Sequence, residues 1–145
     1  MAKLIVKKSI TINAPPMKVW SILTSPDSIK RWMLVVPDFE SSSPLQLESR
    51  VRWKDENGKP YLTGTVVALD PLRKLVLKLD DISWTQKAGQ DDVTYALTLS
   101  EAENGTSLQL VFGDLAIDSE GQQWFDAYSA SRELDMIKDM AEGQP

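Results

Sequence analysis

The chain contains no cysteine and no histidine. Without cysteine there is no disulfide, no thiolate nucleophile and no soft-metal ligand. Without histidine there is no imidazole for a catalytic triad or dyad, and the usual switch near neutral pH is missing. Positive charge is sparse and scattered. The 16 Lys and Arg residues stand against 21 Asp and Glu, for a formal net charge of −5, and no basic run exceeds the pair Lys7–Lys8. Phosphate neutralisation requires a clustered cationic surface, so nucleic acid is not an expected partner. Long apolar runs are absent too. None approaches the roughly 20 residues that span a bilayer, so no membrane partner is expected. The opening "MAKLIVKKSITI" alternates and has no apolar h-region, which reads as no signal peptide and leaves a cytoplasmic protein as the expectation.

What is present suits one domain over residues 1–145 with one core. Residues 3–12 read as a strand. Leu4, Val6, Ile10 and Ile12 share a face under a period of two, and Lys8 interrupts it, which places the strand at or near a sheet edge. In "NAPP", Asn13 is a candidate helix cap followed by first-turn prolines, and Val19, Trp20 and Leu23 then recur at helical spacing. Ser25-Pro26-Asp27 stops this helix and starts a second one by the same device, with Ile29, Trp32 and Met33 on its apolar side.

Residues 37–45, with three serines and two prolines, read as loop. A strand is expected over 47–54, with Leu47, Ser49, Val51 and Trp53 on one face. The turn "DENG" (55–58) leads to strands at 61–69 and 74–79, the latter with Leu75, Leu77 and Leu79 on one face. Residues 80–92 form a mixed connection. Val93, Tyr95, Leu97 and Leu99 alternate, "ENG" (103–105) signals a hairpin with a type I′ turn, and Leu108, Leu110 and Phe112 alternate after it. From Ser119 to about Ala141 the pattern predicts one long helix, with Trp124, Ala127, Tyr128, Ser131, Leu134 and Ile137 along one stripe. The order is strand, two short helices, five or six antiparallel strands and a long helix. That is an α+β architecture, and a strongly curved sheet around the last helix gives the first strand a late partner.

Four segments carry a resemblance: "INAPPMKVWSILTSPDSIKRWM" (12–33), "GTVVALDPLRKLVLKL" (64–79), "VTYALTLSEAENGTSLQLVF" (93–112) and "QWFDAYSASRELDMI" (123–137). In them the chain resembles the helix-grip proteins called SRPBCC or START-like. Within these it is most similar to the family related to the C-terminal domain of the activator of heat-shock protein 90 ATPase. The resemblance implies a sheet that grips the C-terminal helix and leaves a cleft between them, with the two short helices closing one end and Trp32 near the closure. It brings with it a stress-response setting and, as one partner, a chaperone ATPase.

Taken with that cleft, the ligand-lining candidates are Trp32, Phe39, Trp53, Leu77, Tyr95, Leu110, Phe112, Trp124, Tyr128 and Ser131. Large apolar and aromatic side chains supply the walls of such sites, and a few hydroxyls orient the occupant. The competing reading of each is ordinary: core for the aromatics, a backbone hydrogen bond for each hydroxyl. Trp20 reads as core. Trp84 sits in a polar loop. Ala127 and Ser131, small residues one turn apart on the apolar stripe, suggest room beside the helix.

Asp80–Asp81, Asp91–Asp92 and "DENG" read as solvated turns, because a hard-cation cage needs several converging oxygens. Arg50 and Arg52 read as the wet face of the sheet. No catalytic residue, metal or cofactor is expected. The leading function is a non-catalytic protein that shelters a small hydrophobic molecule, as a monomer or weak homodimer. The alternatives are a co-chaperone module that stimulates a chaperone ATPase, and an enzyme similar to the polyketide cyclases of the same superfamily. For the last, only Tyr, Asp, Glu, Lys or Arg could serve as acid or base.

Overall fold

The computed structural model describes residues 4–82 and 93–143. Seven strands form one antiparallel sheet: β1 (Val6–Ile12), β2 (Asp38–Phe39), β3 (Arg50–Lys54), β4 (Pro60–Asp70), β5 (Lys74–Asp81), β6 (Thr94–Ala102) and β7 (Gly105–Gly113), in the spatial order β1-β7-β6-β5-β4-β3-β2. Helices α1 (Pro16–Thr24) and α2 (Pro26–Trp32) follow β1, while α3 (Gly121–Ala130) and α4 (Glu133–Ala141) follow the sheet after a short 3₁₀ turn at Leu115–Ile117. The α+β helix-grip class expected from the sequence is the class observed, and β1 lies at a sheet edge, pairing with β7 alone.

Inward side chains form rows that cross the strands. One row runs Val66, Leu77, Tyr95, Phe112 and Val6, and the next runs Leu75, Leu97, Leu110 and Lys8. The period-two pattern of the sequence thus becomes a continuous apolar surface. Val6, Leu75, Leu97 and Leu110 are each at most 2% exposed, and fully burying an aliphatic side chain contributes about 1.5–3 kcal/mol.

The C-terminal segment departs from the single long helix expected. Ser131 adopts an extended conformation (φ −67°, ψ 159°) and ends α3, and α4 begins two residues later. Both the backbone N–H and the hydroxyl of Ser131 donate to the Tyr128 carbonyl, at 3.3 and 3.0 Å. Serine competes in this way for backbone groups that a continuing helix would use. Lys8, the residue that interrupts the inner face of β1, fixes the break. Its Nζ donates to the Ser131 carbonyl at 2.6 Å and to the Tyr128 carbonyl at 3.4 Å, a cation at the negative end of a helix. The stripe is broken with the helix: α3 buries Gly121 and Tyr128, whereas Ala127 is exposed and Ser131 half-buried.

Four local expectations are also corrected. Asn13 does not cap α1. Pro15 occupies that position, and the Asn13 N–H donates instead to Glu142 Oε2 at 2.8 Å. The strand expected from residue 47 begins at Arg50, because Gln46–Ser49 form a turn with Glu48 at φ 72° and Ser49 Oγ accepting from the Gln46 N–H. Within the stretch read as loop, Asp38 and Phe39 pair with Arg52 and Val51. The β6–β7 turn is Glu103-Asn104, since Ala102 pairs with Gly105, and positive φ outside glycine occurs among the described residues only at Glu48 and Leu72. Gly105 is therefore required for close approach rather than for a type I′ turn: a Cβ there would run into the Ile12 carbonyl.

Candidate functional site

Between the first inner row and α3 lies a cleft. Its floor is Leu77, Tyr95 and Phe112 from adjacent strands, joined by Leu79 and Trp53; Trp124 and Tyr128 of α3 form the roof. The third wall is the extended segment after α2. Met33 and Val35 line the cleft, and the alternate residues Leu34 and Val36 face solvent, 44% and 57% exposed. Three hydrogen bonds fix this segment. The Met33 N–H donates to the Ile29 carbonyl at 3.0 Å, the Leu34 N–H to Glu133 Oε2 at 2.7 Å, and Trp53 Nε1 to the Val35 carbonyl at 2.9 Å. Phe112 stands edge-on to both Tyr95 and Tyr128, with centroids 5.1 and 4.7 Å away, an arrangement favoured by the ring quadrupoles.

The room left to a water-sized body in this cleft is about 50 Å³, against roughly 300–1,000 Å³ in ordinary small-molecule sites. The interior is therefore more nearly filled than the sequence suggested. A ligand larger than a few atoms must displace side chains at the mouth, of which Trp124 and Tyr61 are half-buried.

The polar groups have distinct surroundings. Asp81 and Asp118 stand among the lining residues together with Tyr61. Burial raises the Tyr61 pKa, and the nearby Asp81 and Asp55 raise it further. At the inner end, Tyr95 Oη donates to Glu133 Oε1 at 2.9 Å, and Glu133 is 2% exposed. Desolvation raises the Glu133 pKa, against which the Leu34 N–H, the Tyr95 hydroxyl and the Lys8 charge all act. Tyr95 and Tyr128 are pushed upward by burial first and by Glu133 second, so both phenols stay protonated. The Tyr128 hydroxyl has no hydrogen-bond partner among the described residues, although the residue is only 8% exposed. No fully enclosed side-chain N or O among the described residues lacks a partner, so this hydroxyl opens onto the cleft that Tyr128 lines.

Of the ten candidates, Trp53, Leu77, Tyr95, Phe112, Trp124 and Tyr128 meet in the cleft lining; Trp32, Phe39, Leu110 and Ser131 stand outside it. Trp32 is core, 1% exposed, with its Nε1 donating to the Ile22 carbonyl at 3.0 Å. Leu110 lies one row deeper and is fully buried. Phe39 is on β2 with Lys30 Nζ 5.9 Å from its ring centroid, beside a separate polar surface groove. Ser131 serves the helix break. Trp20 packs against the core as expected, and Trp84, Asp91 and Asp92 lie outside the described residues.

The sequence reading missed Glu133, which ties β6, the 33–36 segment and α4 together. The available signal was the lone lysine on the apolar face of β1, which called for acceptors or an acid on the terminal helices. Asp55 caps its own turn through the N–H groups of Asn57 and Lys59. Arg52 faces Glu40 on the outer side at 3.8 Å, with both side chains substantially exposed. No group of acidic residues arranged to hold a metal occurs among the described residues, and no helix among them is long and apolar enough to cross a membrane.

A curved antiparallel sheet gripping C-terminal helices over an apolar cleft defines the SRPBCC or START-like class. Within that class, the chain belongs to the family described as "Activator of Hsp90 ATPase homolog 1-like protein", whose model matches residues 13–142. No curated protein matches the chain. Among solved structures, the Aha1 dimer from Colwellia psychrerythraea superposes with a TM-score of 0.68 at 20% identity, covering 99% of this chain and 98% of that one. ChR145 from Cytophaga hutchinsonii gives 0.69 at 23%, covering 99% and 98%. DynU16, from the dynemicin biosynthetic locus, gives 0.68 at 16%, covering 98% of this chain and 48% of that one. At these identities the likeness is one of fold.

Proposed function

We propose that the protein is a non-catalytic binder of a small hydrophobic molecule, held between the sheet and α3. One observation carries this reading. An apolar cleft, walled by Trp53, Leu77, Phe112 and Trp124, contains a buried phenol, Tyr128, whose hydroxyl has no partner within the described protein. A hydroxyl that opens onto apolar walls is free to donate to an acceptor on a bound molecule, the kind of single polar group that orients a ligand in such a cleft. The small free volume adds a condition: binding widens the cleft, with the half-buried Trp124 and Tyr61 yielding.

The test is titration with a neutral, carbonyl-bearing naphthalene dye such as prodan. Saturable binding with a blue-shifted emission, together with quenching of tryptophan fluorescence, supports the reading. No binding by either signal overturns it.

The family membership supports a second reading, a module that stimulates a chaperone ATPase. It is tested by ATPase turnover of the purified chaperone with and without this chain. The enzyme reading gains a buried carboxylate beside a tyrosine, but the chemistry argues against it. Both Glu133 oxygens already accept hydrogen bonds, and Glu133 is not among the lining residues. Tyr95 resists ionisation, which makes it a poor base.

A further inference from the structure

We propose that the cleft grips its occupant by a carbonyl oxygen held between two phenols, Tyr128 Oη from the helix side and Tyr61 Oη from the sheet side. The occupant is then an apolar molecule that bears a ketone or a similar carbonyl. This rests on the binding reading above and adds Tyr61 as a second residue that orients the ligand.

The placement of Tyr61 carries the argument. Successive residues of a strand point to opposite faces, yet Tyr61 and Leu62 both line the cleft. The register of β3 against β4 explains this. Trp53 pairs with Leu62 and Lys54 pairs with Pro60, so Tyr61 is an extra residue with no counterpart on β3. A bulge of this kind re-aims a side chain. Here it turns onto the cleft a tyrosine that strict alternation would send to the outer face of the sheet. The Ile82 N–H donates to the Tyr61 carbonyl at 3.0 Å and ties the bulge to the chain just after β5.

All three tyrosines of the chain line this one cleft, but their hydroxyls differ. Tyr95 Oη is committed to Glu133 at 2.9 Å. The hydroxyls of Tyr61 and Tyr128 have no hydrogen-bond partner among the described residues, although Tyr128 is buried and Tyr61 half-buried. Tyr61 is also among the groups that raise the Tyr128 pKa, behind burial and Glu133, so the two phenols stand within electrostatic reach of each other.

A protonated phenol has one hydrogen to donate, and a carbonyl oxygen has two lone pairs with which to accept. One such oxygen therefore satisfies both donors. A hydrocarbon of the same shape would strip water from both hydroxyls and return no bond. Tyr61 yields at the mouth as the cleft widens, and its hydroxyl then closes on the oxygen that Tyr128 holds from the other side.

The experiment compares prodan with its propyl analogue, in which a methylene replaces the carbonyl and the skeleton is otherwise unchanged. Tyr61→Phe should weaken prodan at least about fivefold and change the propyl analogue by less than about twofold, and Tyr128→Phe should do the same. Isotope-edited infrared spectra of carbonyl-labelled prodan give an independent reading, because the C=O stretch falls with each hydrogen bond accepted. The bound stretch should lie below its value in hydrocarbon, rise part of the way with either variant, and rise the rest of the way with Tyr61→Phe/Tyr128→Phe.

A bound stretch equal to that in hydrocarbon overturns the two-phenol grip, and this measurement needs only the unmodified protein. So does a Tyr61→Phe variant that leaves the stretch unmoved, or that binds prodan as the unmodified protein does. Each of these outcomes leaves the binding reading standing, since prodan is still bound. Failure of prodan to bind the unmodified protein overturns both.

Discussion

The phenol of Tyr95 on β6 and the carboxylate of Glu133 at the start of α4 meet in the interior, Oη to Oε1, at 2.9 Å. The other oxygen of Glu133 accepts the Leu34 N–H at 2.7 Å. One buried side chain thereby fixes the floor of the cleft, its third wall and the helix behind it.

Removing Glu133 should cost more than its size suggests. Glu133→Ala leaves the Leu34 N–H and the Tyr95 hydroxyl unpaired, at about 1–3 kcal/mol each. The expected loss is about 3 kcal/mol in urea unfolding. Glu133→Gln should cost no more than about 1 kcal/mol, because its oxygen can still accept from Leu34 while its amide donates to a rotated Tyr95 hydroxyl. Equal losses for the two variants would show that the hydrogen bonds are not what Glu133 provides.

Glu133 also predicts a pH dependence. Its folded pKa is raised, chiefly by desolvation. Between the ordinary carboxylate value and the raised one, the folded state binds more protons than the unfolded state, so this group's contribution to stability falls as pH rises. The stability of the wild type relative to Glu133→Gln should therefore improve as pH is lowered through that window and level off above it. A flat difference from the ordinary carboxylate range to neutrality would contradict the assignment.

Lys8→Met keeps the apolar stem and removes the ammonium from the break between α3 and α4. Charge-assisted bonds of this kind contribute about 1.5–3 kcal/mol, and a loss of about 2 kcal/mol is expected. The variant should also raise the Glu133 pKa further, because Lys8 acts to lower it. A double-mutant cycle with Glu133→Gln reads this coupling, and strict additivity would show that there is none.

Within the site, Tyr128→Phe should weaken prodan at least about fivefold if the hydroxyl donates to the ligand carbonyl, the size expected of one net hydrogen bond. Trp32→Ala should leave probe affinity intact where the protein remains folded, while costing about 3–5 kcal/mol of stability as a core truncation. A dye affinity that follows Trp32 and ignores Tyr128 would move the site away from α3 and into the core beside α2.

Gly105→Ala tests the close approach of β7 to the end of β1. The new Cβ meets the Ile12 carbonyl, which is backbone and cannot swing aside, so a loss of about 1–3 kcal/mol is expected from overpacking. Ala102→Gly, on the facing strand of the same hairpin, should cost about 0.5–1 kcal/mol. Equal costs by thermal unfolding would rule out the steric reading.

Most strand positions and their inward faces were legible from residue to residue, because a period of two is a local property; β2 and the turn at Gln46–Ser49 were not. Leu75, Leu77, Leu97 and Leu108 needed no tertiary knowledge to be placed inside. The helix break was not legible. Trp124, Tyr128, Leu134 and Ile137 fit a continuous stripe by spacing, and what divides it is a lysine 123 positions away from Ser131. Glu133 sits in "SRELDMIKDM", a stretch that reads as amphipathic with a wet acidic side. Its burial is decided by Leu34 and Tyr95, 99 and 38 positions distant.

By itself the sequence determined the succession of apolar-faced strands and helical segments, the lack of imidazole and thiol chemistry, and a family resemblance covering nearly the whole chain. Tertiary structure alone decided how much space remains beside α3, which aromatics border it and that the buried Tyr128 hydroxyl has no partner among the described residues. Local periodicity fixes the side of an element on which a residue lies. The gap between two packed surfaces depends on side chains brought together from remote parts of the chain, and no local pattern encodes their sum.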